Sequence, residues 1–499
     1  MRGLGGILAA AGAIIIGLGA GAAPAAAAPP TPPPGGSGDF DIVSLGDSYS
    51  AGFGILPFLQ DSPFPGTVTE GGVTLNGCYQ AEADYPHQVA GLLGFPLDDQ
   101  TCSGAVTANL TTTPQTTMVG QLAPAVQAAA LSAQTDVVTL TIGGNDLLFS
   151  TIAEHCIRLS ESDAPISLLF YSPTVSSCEQ FYTAPAGTYS YTSDGTTYTN
   201  INVDELLTGT VVPALTATYA AIAAAAPNAE VFVVGYPQIA TSDSTKAASC
   251  YSLDSDTAPV DAVPFGPSDI LWLSQVEHAL VDQIESLTAA AGTRFHYVDG
   301  WTPSAEHTLC DGADSWITAM SGQIGYGLDC DMLTQQPLVY DGTTVGCLDL
   351  GALHPNGAGV AALTGTVSDG ILAGFGDGLR LVAGETPKAG ETLTIAGFGF
   401  PAGAPVELVL HSDPVPLGAV TASSLGTFSA TVTIPAGVSG AHELVATSGA
   451  TSYALPLAFA AQLAATGDAE TDAALLIGLC LLTTGFLMVV ARRRTAASR

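Results

Sequence analysis

Four short apolar runs, separated by longer stretches of helical character, constrain the fold of this chain more than any other feature. Their sequences are DIVSLG (41–46), DVVTLTIGG (136–144), AEVFVVGYP (229–237) and RFHYVDG (294–300). Stretches of helical character at 211–227 and 269–292 each precede one of the later runs. Such alternation is typical of a parallel sheet whose two faces are both covered by helices. Residues 39–373 are therefore predicted to form an α/β domain.

The pattern changes after Gly376. The next segments are short, alternate apolar with polar residues, and are separated by Gly, Pro and Ser: ETLTIAGFGF (391–400), APVELVLHS (404–412), GTFSATVTI (426–434) and HELVATSG (442–449). They predict a small antiparallel β-sandwich at 379–460. It resembles the Ig-like modules of bacterial surface proteins, although it contains neither Cys nor Trp. We interpret this module as a stalk, with ligand binding as the alternative.

The N-terminus has the features of a secretory signal peptide. Arg2 precedes a long apolar stretch, and small residues follow up to the expected cleavage site near Ala28. This order of basic, apolar and small residues is typical of a signal peptide at 1–28. The Pro/Gly segment that follows, 29–38, is predicted to be a linker. The chain is therefore expected to be secreted.

The C-terminus, residues 463–499, carries a second targeting pattern. LAATG (463–467) is followed by an apolar run at 473–491, long enough to span a bilayer as a transmembrane helix, and then by an arginine-rich tail. The order resembles the LAxTG sorting signal of Gram-positive bacteria, in which sortase cleaves between Thr466 and Gly467 and joins the threonine to peptidoglycan. The resemblance implies a protein that is membrane-anchored before sorting and cell-wall anchored after it. A plain single-pass anchor is the alternative.

The acidic composition excludes one class of partner. The chain has 45 Asp and Glu against 10 Lys and Arg, which gives a net charge of −35. Such a surface repels the phosphates of nucleic acids and anionic lipid headgroups. The composition therefore excludes nucleic acid binding, but it identifies no partner by itself.

Cysteine usage agrees with export. Of nine cysteines, Cys480 lies in the apolar C-terminal run, which leaves eight in the exported part. An even number of cysteines in a secreted chain predicts disulfides, here four, whose connectivity the sequence alone leaves open. The cysteines lack the CxxC spacing of zinc sites, and we expect no metal site among them.

Ser48 lies immediately after the first predicted strand. The carboxyl ends of parallel strands are where α/β sheets usually carry their chemistry. A serine hydroxyl is a weak nucleophile unless a base accepts its proton and hydrogen-bond donors stabilise the oxyanion that forms on the substrate. If Ser48 is a nucleophile, the rest of the chain must supply these partners.

Four short segments occur in the order of the sequence blocks of the SGNH, or GDSL, hydrolase family. They are GDSYSAG (46–52), CSGAVT (102–107), GGND (143–146) and HPNGAG (354–359). Taken together and in this order, they identify the chain as a member of that family. The resemblance covers the whole α/β domain and implies a flavodoxin-like, three-layer α/β/α fold. It also implies a serine esterase or lipase that cleaves carboxylic ester bonds without a cofactor.

The resemblance implies a role for each matching residue. Ser48 is the nucleophile, and His354 is the base that later protonates the leaving alkoxide. The backbone N–H groups of Ser48 and Gly104 and the side-chain amide of Asn145 form the oxyanion hole. Glycine allows close approach of the backbone to the substrate, and an amide donates hydrogen bonds without a charge.

Similarity to secreted actinobacterial members of the family also implies a disulfide pairing: Cys78 with Cys102, Cys156 with Cys178, Cys250 with Cys310, and Cys330 with Cys347. The segment 170–200, rich in Tyr, Thr and Ser, is expected to be a disulfide-tied insertion near the site. His307 lies in EHTLC, which is similar to a GHxxC segment of those members. We expect His307, His87 and His155 to be structural or solvated.

The last block departs from the family pattern. Many members have an aspartate three residues before the histidine, where this chain has Gly351. Asp349 and Asp341 are near in sequence but lack that spacing. Some actinobacterial members use a backbone carbonyl in place of the acid, and we therefore expect a Ser–His dyad.

The sequence favours a lipase or esterase, with lipid acyl esters as the first substrate class. A glycan O-acetyl esterase is the alternative within the enzymes, because a wall location and the Tyr-rich insertion suit it. A catalytically inactive surface-binding protein is the alternative outside them, although Ser48, His354, Gly104 and Asn145 are all present. The sequence carries no signal for acyl chain length, the alcohol or the oligomeric state.

Overall fold

The computed structural model describes residues 39–460, apart from internal segments at 60–67, 71–72, 118–119, 121, 160–176, 194–195, 251–259, 263–264, 325–329, 331–334 and 341–342. The predicted signal peptide, the Pro/Gly linker and the C-terminal segment 463–499 lie outside the described residues.

A five-stranded parallel sheet forms the centre of the α/β domain. The described strands of this domain are β1 (Ile42–Gly46), β2 (Val68–Glu70), β3 (Val73–Leu75), β4 (Leu97–Asp99), β5 (Val137–Thr141), β6 (Ser190–Ser193), β7 (Thr196–Thr199), β8 (Glu230–Val234), β9 (Val260–Ala262), β10 (Phe295–Val298), β11 (Met320–Ile324), β12 (Gln335–Tyr340) and β13 (Thr343–Asp349). The sheet order is β10-β8-β5-β1-β4, with every neighbouring pair parallel. This is the flavodoxin-like order, in which the direction of winding reverses between β1 and β5.

The four predicted apolar runs are confirmed as β1, β5, β8 and β10. The edge strand β4 was missed because its sequence, LDD, has no apolar pattern. β1 and β5 pair from Ile42 opposite Val137 to Gly46 opposite Thr141. Their carboxyl ends are therefore level, and the segments that follow them leave the sheet side by side.

Helices cover both faces of this sheet. The described α-helices are α1 (Ser48–Ala51), α2 (Tyr85–Leu93), α3 (Thr107–Thr111), α4 (Phe149–Leu159), α5 (Cys178–Thr183), α6 (Val203–Leu206), α7 (Val212–Ala225), α8 (Ser244–Cys250), α9 (Pro267–Ala291) and α10 (Gly357–Phe375). Short 3-10 helices span Gln127–Ala130, Thr302–Ser304 and Leu309–Asp314, and a π-helical turn spans Leu207–Val211. α7 and α9 pack on one face through residues such as Leu215 and Leu280, and α2 and α10 on the other through Val89 and Leu363.

Two helical segments of the described part, Val203–Ala225 and Gly357–Phe375, are long and apolar enough to cross a membrane by length and composition alone. Both contribute buried side chains to the core on the faces of the sheet, for example Ile222 and Val367. Their apolar character is therefore explained by packing in the helical layers.

A second sheet, which is antiparallel, has the order β12-β13-β11-β9. The sequence analysis did not predict it. β13 ends at Asp349 and leads directly into the loop that carries His354. Thr318 lies on the segment before β11. Its carbonyl accepts from the N–H of Leu353 at 3.0 Å, and its N–H donates to the carbonyl of His354 at 2.8 Å. The histidine loop is therefore fixed at one end by β13 and along its backbone by the segment before β11.

The C-terminal region consists of two antiparallel sheets. Its strands are β14 (Gly378–Leu381), β15 (Thr392–Phe398), β16 (Pro405–His411), β17 (Val415–Thr421), β18 (Phe428–Thr433), β19 (Gly440–Ser448) and β20 (Thr451–Phe459). One sheet has the order β14-β15-β18, and the other β17-β16-β19-β20. Buried residues of both sheets, among them Leu393 and Leu408, form a single core. The predicted all-β character is confirmed.

This β region packs directly on the α/β domain. The ring of Phe398 stacks on Phe375 with centroids 4.9 Å apart and contacts Phe40 at 5.6 Å. The N–H of Ala383 donates to the Asp136 carboxylate at 2.7 Å. Phe40 and Asp136 precede β1 and β5, so the contact lies at the amino end of the sheet. The β region is thus at the opposite end from Ser48.

Candidate active site

Ser48 is held in a tight turn at the carboxyl end of β1. Asp47 is the N-cap of α1, and its carboxylate accepts a hydrogen bond from the N–H of Tyr49 at 3.0 Å. Ser48 is therefore the first residue of a short helix, and 9% of its surface is exposed. Ser48 thus lies at the carboxyl end of β1.

Gly46 sets the geometry of this turn. Its φ is +141°, and a Cβ at this position would lie 2.4 Å from the carbonyl oxygen of Thr141. The buried side chain of Gln127 holds both backbone groups of Gly46: its Oε1 accepts from the N–H at 2.7 Å, and its Nε2 donates to the carbonyl at 2.9 Å. The end of β1 is therefore defined by backbone contacts that only glycine permits.

His354 reaches Ser48 from the loop after β13. Its Nε2 lies 2.8 Å from the Ser48 Oγ, and its Nδ1 lies 3.0 Å from the carbonyl oxygen of Ala352. A carbonyl can only accept, so Nδ1 carries the proton and Nε2 presents its lone pair to the serine hydroxyl. This is the tautomer that a general base requires.

Among the described residues, the hydrogen-bond partners of the His354 ring are the Ala352 carbonyl and the Ser48 hydroxyl, and neither is a carboxylate. Gly351 has a φ of +86°, and a Cβ there would lie 2.7 Å from the Cα of Gly54 and 2.9 Å from the Phe53 carbonyl oxygen. An aspartate does not fit at position 351. The backbone carbonyl of Asp349 accepts from the N–H of Ala352 at 3.2 Å, while Asp341 lies outside the described residues.

The environment of His354 favours the neutral imidazole. Burial against Tyr49 and Phe53, whose rings lie 5.0 and 5.1 Å from it, lowers the pKa of His354 to about 4. The backbone hydrogen bonds with Ala352 and Gly351 oppose this shift only in part. His354 is therefore unprotonated at neutral pH and can accept the proton of Ser48.

The segments with Gly104 and Asn145 meet beside Ser48. The N–H of Cys102 donates to the Gly46 carbonyl at 3.0 Å, and Asn145 Nδ2 donates to the Ala105 carbonyl at 2.9 Å. One amide hydrogen of Asn145 remains for a further bond. Within the described part of the chain, the N–H groups of Ser48 and Gly104 donate to no acceptor. Three donors are thus available at this end of the sheet.

Two tyrosines that the sequence analysis missed connect these segments. Tyr236 follows β8, and its hydroxyl donates to the Asp47 carboxylate at 2.5 Å and accepts from the N–H of Gly144 at 2.9 Å. The Tyr49 hydroxyl donates to the Leu353 carbonyl at 2.7 Å. For Tyr236, the available signal was a tyrosine two residues after the buried strand EVFVV.

Asp47 is a buried carboxyl inside this network. Burial raises its pKa to about 7, and the hydrogen bonds from Tyr236 and the Tyr49 N–H oppose the shift. The Tyr236 hydroxyl thus links the turn that contains Ser48 to the segment that carries Asn145. The network positions both halves of the site without touching the serine hydroxyl.

An apolar cavity adjoins the histidine loop at Leu353. Its other lining residues include Phe149, Phe265, Leu309 and Glu277. Glu277 is buried, and its Oε2 accepts from the N–H groups of Ile239 and Ala240 at 3.1 and 3.3 Å. Burial raises the pKa of Glu277 to about 8. The sequence analysis had treated this residue only as part of a helix.

Other predicted residues lie away from Ser48. His307 stacks on Trp316 at 3.9 Å, and its Nδ1 donates to the Asp314 carbonyl at 2.6 Å. In the Tyr-rich insertion, the ring of Tyr182 stacks on Trp272 in the core. The described cysteines form four disulfides: Cys78–Cys102, Cys156–Cys178, Cys250–Cys310 and Cys330–Cys347.

A family model and the curated relatives all match this chain to lipases and esterases. A sequence model of the GDSL-like Lipase/Acylhydrolase family matches residues 44–362. Lipase 2 of Streptomyces coelicolor is 30% identical over 280 residues, which cover 56% of this chain and 75% of that protein. An esterase of Streptomyces scabiei is 30% identical over 291 residues, with 55% and 74% covered.

Among solved structures, phospholipase A1 from Streptomyces albidoflavus NA297 matches with a TM-score of 0.40 and 21% identity, covering 66% of this chain and 99% of that one. The family match contains Ser48, Gly104, Asn145 and His354, and it extends over more than half of the chain. The protein is therefore an ester hydrolase that belongs to the GDSL-like Lipase/Acylhydrolase family of lipases and esterases.

Proposed function

We propose that the protein cleaves carboxylic esters through an acyl-enzyme on Ser48, with His354 as the other member of a Ser–His dyad. Ser48 Oγ attacks the ester carbonyl carbon while His354 Nε2 takes its proton. The bond to the alcohol oxygen then breaks, and His354 returns the proton to the leaving alkoxide. Water, activated by the same nitrogen, hydrolyses the acyl-enzyme. The observation that carries the proposal is the 2.8 Å contact between the two side chains.

The proposed oxyanion hole consists of the N–H groups of Ser48 and Gly104 and the free amide hydrogen of Asn145. Removal of one such donor typically costs about 10²–10³ in kcat. Asn145 is supported in its orientation by the bond to the Ala105 carbonyl at 2.9 Å. The Asp146 carboxylate accepts from the N–H of Thr107 at 3.0 Å, which keeps the two segments together.

The substrate class that we propose is lipid acyl esters. The support for this choice is that two relatives bear the names lipase and esterase. A panel of p-nitrophenyl esters from acetate to palmitate, together with acetylated xylan and peptidoglycan, tests this choice. A preference for longer acyl chains supports it. Turnover confined to acetyl esters and acetylated glycans would instead identify a glycan O-acetyl esterase.

The nucleophile is tested by Ser48→Ala, which is expected to lower kcat by several orders of magnitude while the protein stays folded. Ser50→Ala is the matched control, because Ser50 is on the same helix and its hydroxyl contacts Tyr85 at 3.2 Å. We expect Ser50→Ala to keep activity within about tenfold. Substantial turnover by purified Ser48→Ala would disprove the assignment, and no turnover by the unmodified protein would support a binding protein.

The dyad is tested at the neighbouring acids. In a full triad, replacing the acid by its amide costs roughly 10⁴ in kcat. Here the Nδ1 partner is the Ala352 carbonyl at 3.0 Å, so Asp349→Asn and Asp341→Asn are each expected to stay within about tenfold. His354→Ala is expected to be inactive. A thousandfold loss at either aspartate, with the circular dichroism unchanged, would mean that a carboxylate does orient the histidine.

We further propose that the protein is secreted and covalently attached to the cell wall through Thr466. Four disulfides support an oxidising, extracellular location. The β region packs at the amino end of the parallel sheet, so it does not cover the carboxyl end, where Ser48 lies. Digestion of the wall with a muramidase should release a protein that ends at Thr466 and bears a wall fragment. Recovery of the intact tail from membranes would support a plain transmembrane anchor.

A further inference from the structure

Three potential metal ligands outside the active site lie next to one another. Asp84 is the N-cap of α2, His87 is in the first turn of that helix, and Asp99 ends the edge strand β4. One ligand atom from each residue falls within 4.8 Å of those of the other two. The mechanism proposed above uses none of these side chains.

Both carboxylates have a buried oxygen that makes no hydrogen bond to the part of the chain that the structure describes. The Asp84 side chain is 0% exposed; its Oδ1 accepts from the N–H and Nδ1 of His87 at 2.8 and 2.7 Å. Its Oδ2 has no hydrogen-bond partner among the described residues. Asp99 is similar. Its Oδ1 accepts from the N–H and hydroxyl of Thr101 at 3.0 and 2.7 Å, whereas its Oδ2 finds no hydrogen-bond partner within the described ranges.

The single imidazole is badly placed to neutralise both carboxylates. His87 Nδ1 is 2.7 Å from Asp84 Oδ1 but 3.8 Å from Asp99 Oδ2. Two negative charges in a buried site are costly unless they are paired or coordinate a metal.

We propose that Asp84, His87 and Asp99 form a binding site for a divalent transition-metal ion of the Zn²⁺ type. The ligands are Asp84 Oδ2, His87 Nδ1 and Asp99 Oδ2, which close on the ion to ligand distances of about 2.0–2.2 Å. The fourth position is water, on the side where the His87 side chain is 29% exposed. Binding displaces the proton from His87 Nδ1 into solvent, so the site carries two carboxylates and a neutral imidazole.

The ligand atoms, two carboxylate oxygens and one imidazole nitrogen, determine which ion fits the site. Ca²⁺ takes six to eight oxygen ligands, which two aspartates and an imidazole do not provide. Zn²⁺ accepts imidazole nitrogen and carboxylate oxygen in four-coordinate sites. The net charge of −35 also raises the concentration of cations at the surface of this protein.

The ion has a structural role. A Cβ on Gly52, the C-cap of α1, would lie 2.8 Å from the Asp84 Cβ, so Asp84 packs directly against the turn of the nucleophile. Asp99 begins the short segment that leads through Cys102 to Gly104. The ion therefore joins the Ser48 side of the site to the Gly104 side through residues that do not touch substrate.

The test uses the purified exported protein after dialysis against EDTA. Calorimetric titration with ZnCl₂ is expected to give one ion per chain with release of protons. The Tm is expected to rise by about 3–5 °C at a hundredfold excess of Zn²⁺ over its Kd. Asp99→Asn and His87→Gln should each weaken binding at least tenfold, whereas His296→Gln, at the separate pair of His296 with Glu230, should not.

Asp84→Asn provides a further variant that folds, because asparagine also caps helices. Absence of a single stoichiometric Zn²⁺, or equal affinity in all the variants, would overturn the site. A different outcome is that Zn²⁺ leaves the Tm of the parent unchanged while Asp99→Asn raises the Tm without any metal. That result would overturn the site and show instead that His87 bridges the two carboxyl groups. Stabilisation by Ca²⁺ and not by Zn²⁺ would overturn the choice of ion.

Discussion

The backbones of Gly54 and Gly351 lie against each other, so that a Cβ built on Gly351 would stand 2.7 Å from the Cα of Gly54. A Cβ on Gly54 would in turn stand 2.5 Å from the Cα of Gly351. This contact brings the loop of His354 onto the turn that follows Ser48. It also explains why the residue three positions before the histidine is glycine here, and why a backbone carbonyl meets the imidazole.

Gly351→Asp, which restores the family's usual acid, is expected to reduce kcat/KM at least a hundredfold and to lower the Tm. The positive φ alone costs about 1–2 kcal/mol for a non-glycine residue, and the clash with Gly54 adds to it. Gly357→Ala is the matched control, since a Cβ there meets no atom within 4 Å. Activity equal to or above that of the parent in Gly351→Asp would contradict the packing argument.

The pH dependence of kcat/KM should reflect the low pKa of His354, about 4. A general base acts only when unprotonated, so activity is lost as the pH falls through this pKa. The rate is therefore expected to stay constant from pH 7 to about 5 and to fall tenfold per pH unit well below 4. Steady-state kinetics at each pH, with recovery of activity on return to pH 7, makes the measurement. An acid limb centred near pH 6.5 would contradict it.

Tyr236→Phe is expected to lower both stability and activity. The substitution removes the hydroxyl that donates to Asp47 and accepts from the Gly144 N–H. Leaving a buried polar group unpaired costs about 1–3 kcal/mol. Urea unfolding and kcat/KM are the measurements.

Tyr297→Phe is the control for that substitution, because the Tyr297 hydroxyl is buried and has no hydrogen-bond partner in the described part of the chain. It should be close to neutral in both assays. If the two variants behave alike, the Tyr236 bonds do not support the site.

Glu277 should make the protein less stable as the pH rises. Its pKa is raised from 4.5 to about 8 by burial, so the folded state binds this proton more tightly than the unfolded state. The stabilisation is complete below pH 4.5 and is lost as the pH rises through about 8. Glu277→Gln removes this dependence, and its stability relative to the parent should grow by up to a few kcal/mol between pH 5 and 8.

Urea unfolding of both proteins across this pH range checks the prediction for Glu277. Glu205→Gln, at an exposed position near the start of a helix, is the control. A difference between parent and Glu277→Gln that does not change with pH would contradict the argument.

The sequence by itself determined the parallel sheet, and it named the residues that we propose as reactive. Strands such as EVFVV are buried on both faces, so their apolar runs are continuous and can be read without the fold. The four family blocks each lie within a few consecutive residues, so Ser48, Gly104, Asn145 and His354 could be named before any contact was known.

The strands β4 and β11 to β13 could not be read in this way. LDD, which forms β4, is short and polar, and it is a strand only because β1 offers an adjacent edge with matching backbone groups. β11 and β13 pair with partners that lie elsewhere in the chain. A short strand without an apolar pattern depends on its neighbour, which the local sequence does not contain.

The tertiary structure alone decided how the reactive residues are supported. Tyr236 reaches Asp47 across 189 positions of the chain, Gly351 meets Gly54, and Asp99 comes to rest beside Asp84. The partner of each of these residues lies on another segment of the chain, so the local sequence does not identify the contact. A pKa shifts on burial because distant segments of the chain pack around the group and exclude water from it. A position accepts only glycine when another segment packs so closely that no Cβ fits. Both effects exist only in the folded chain.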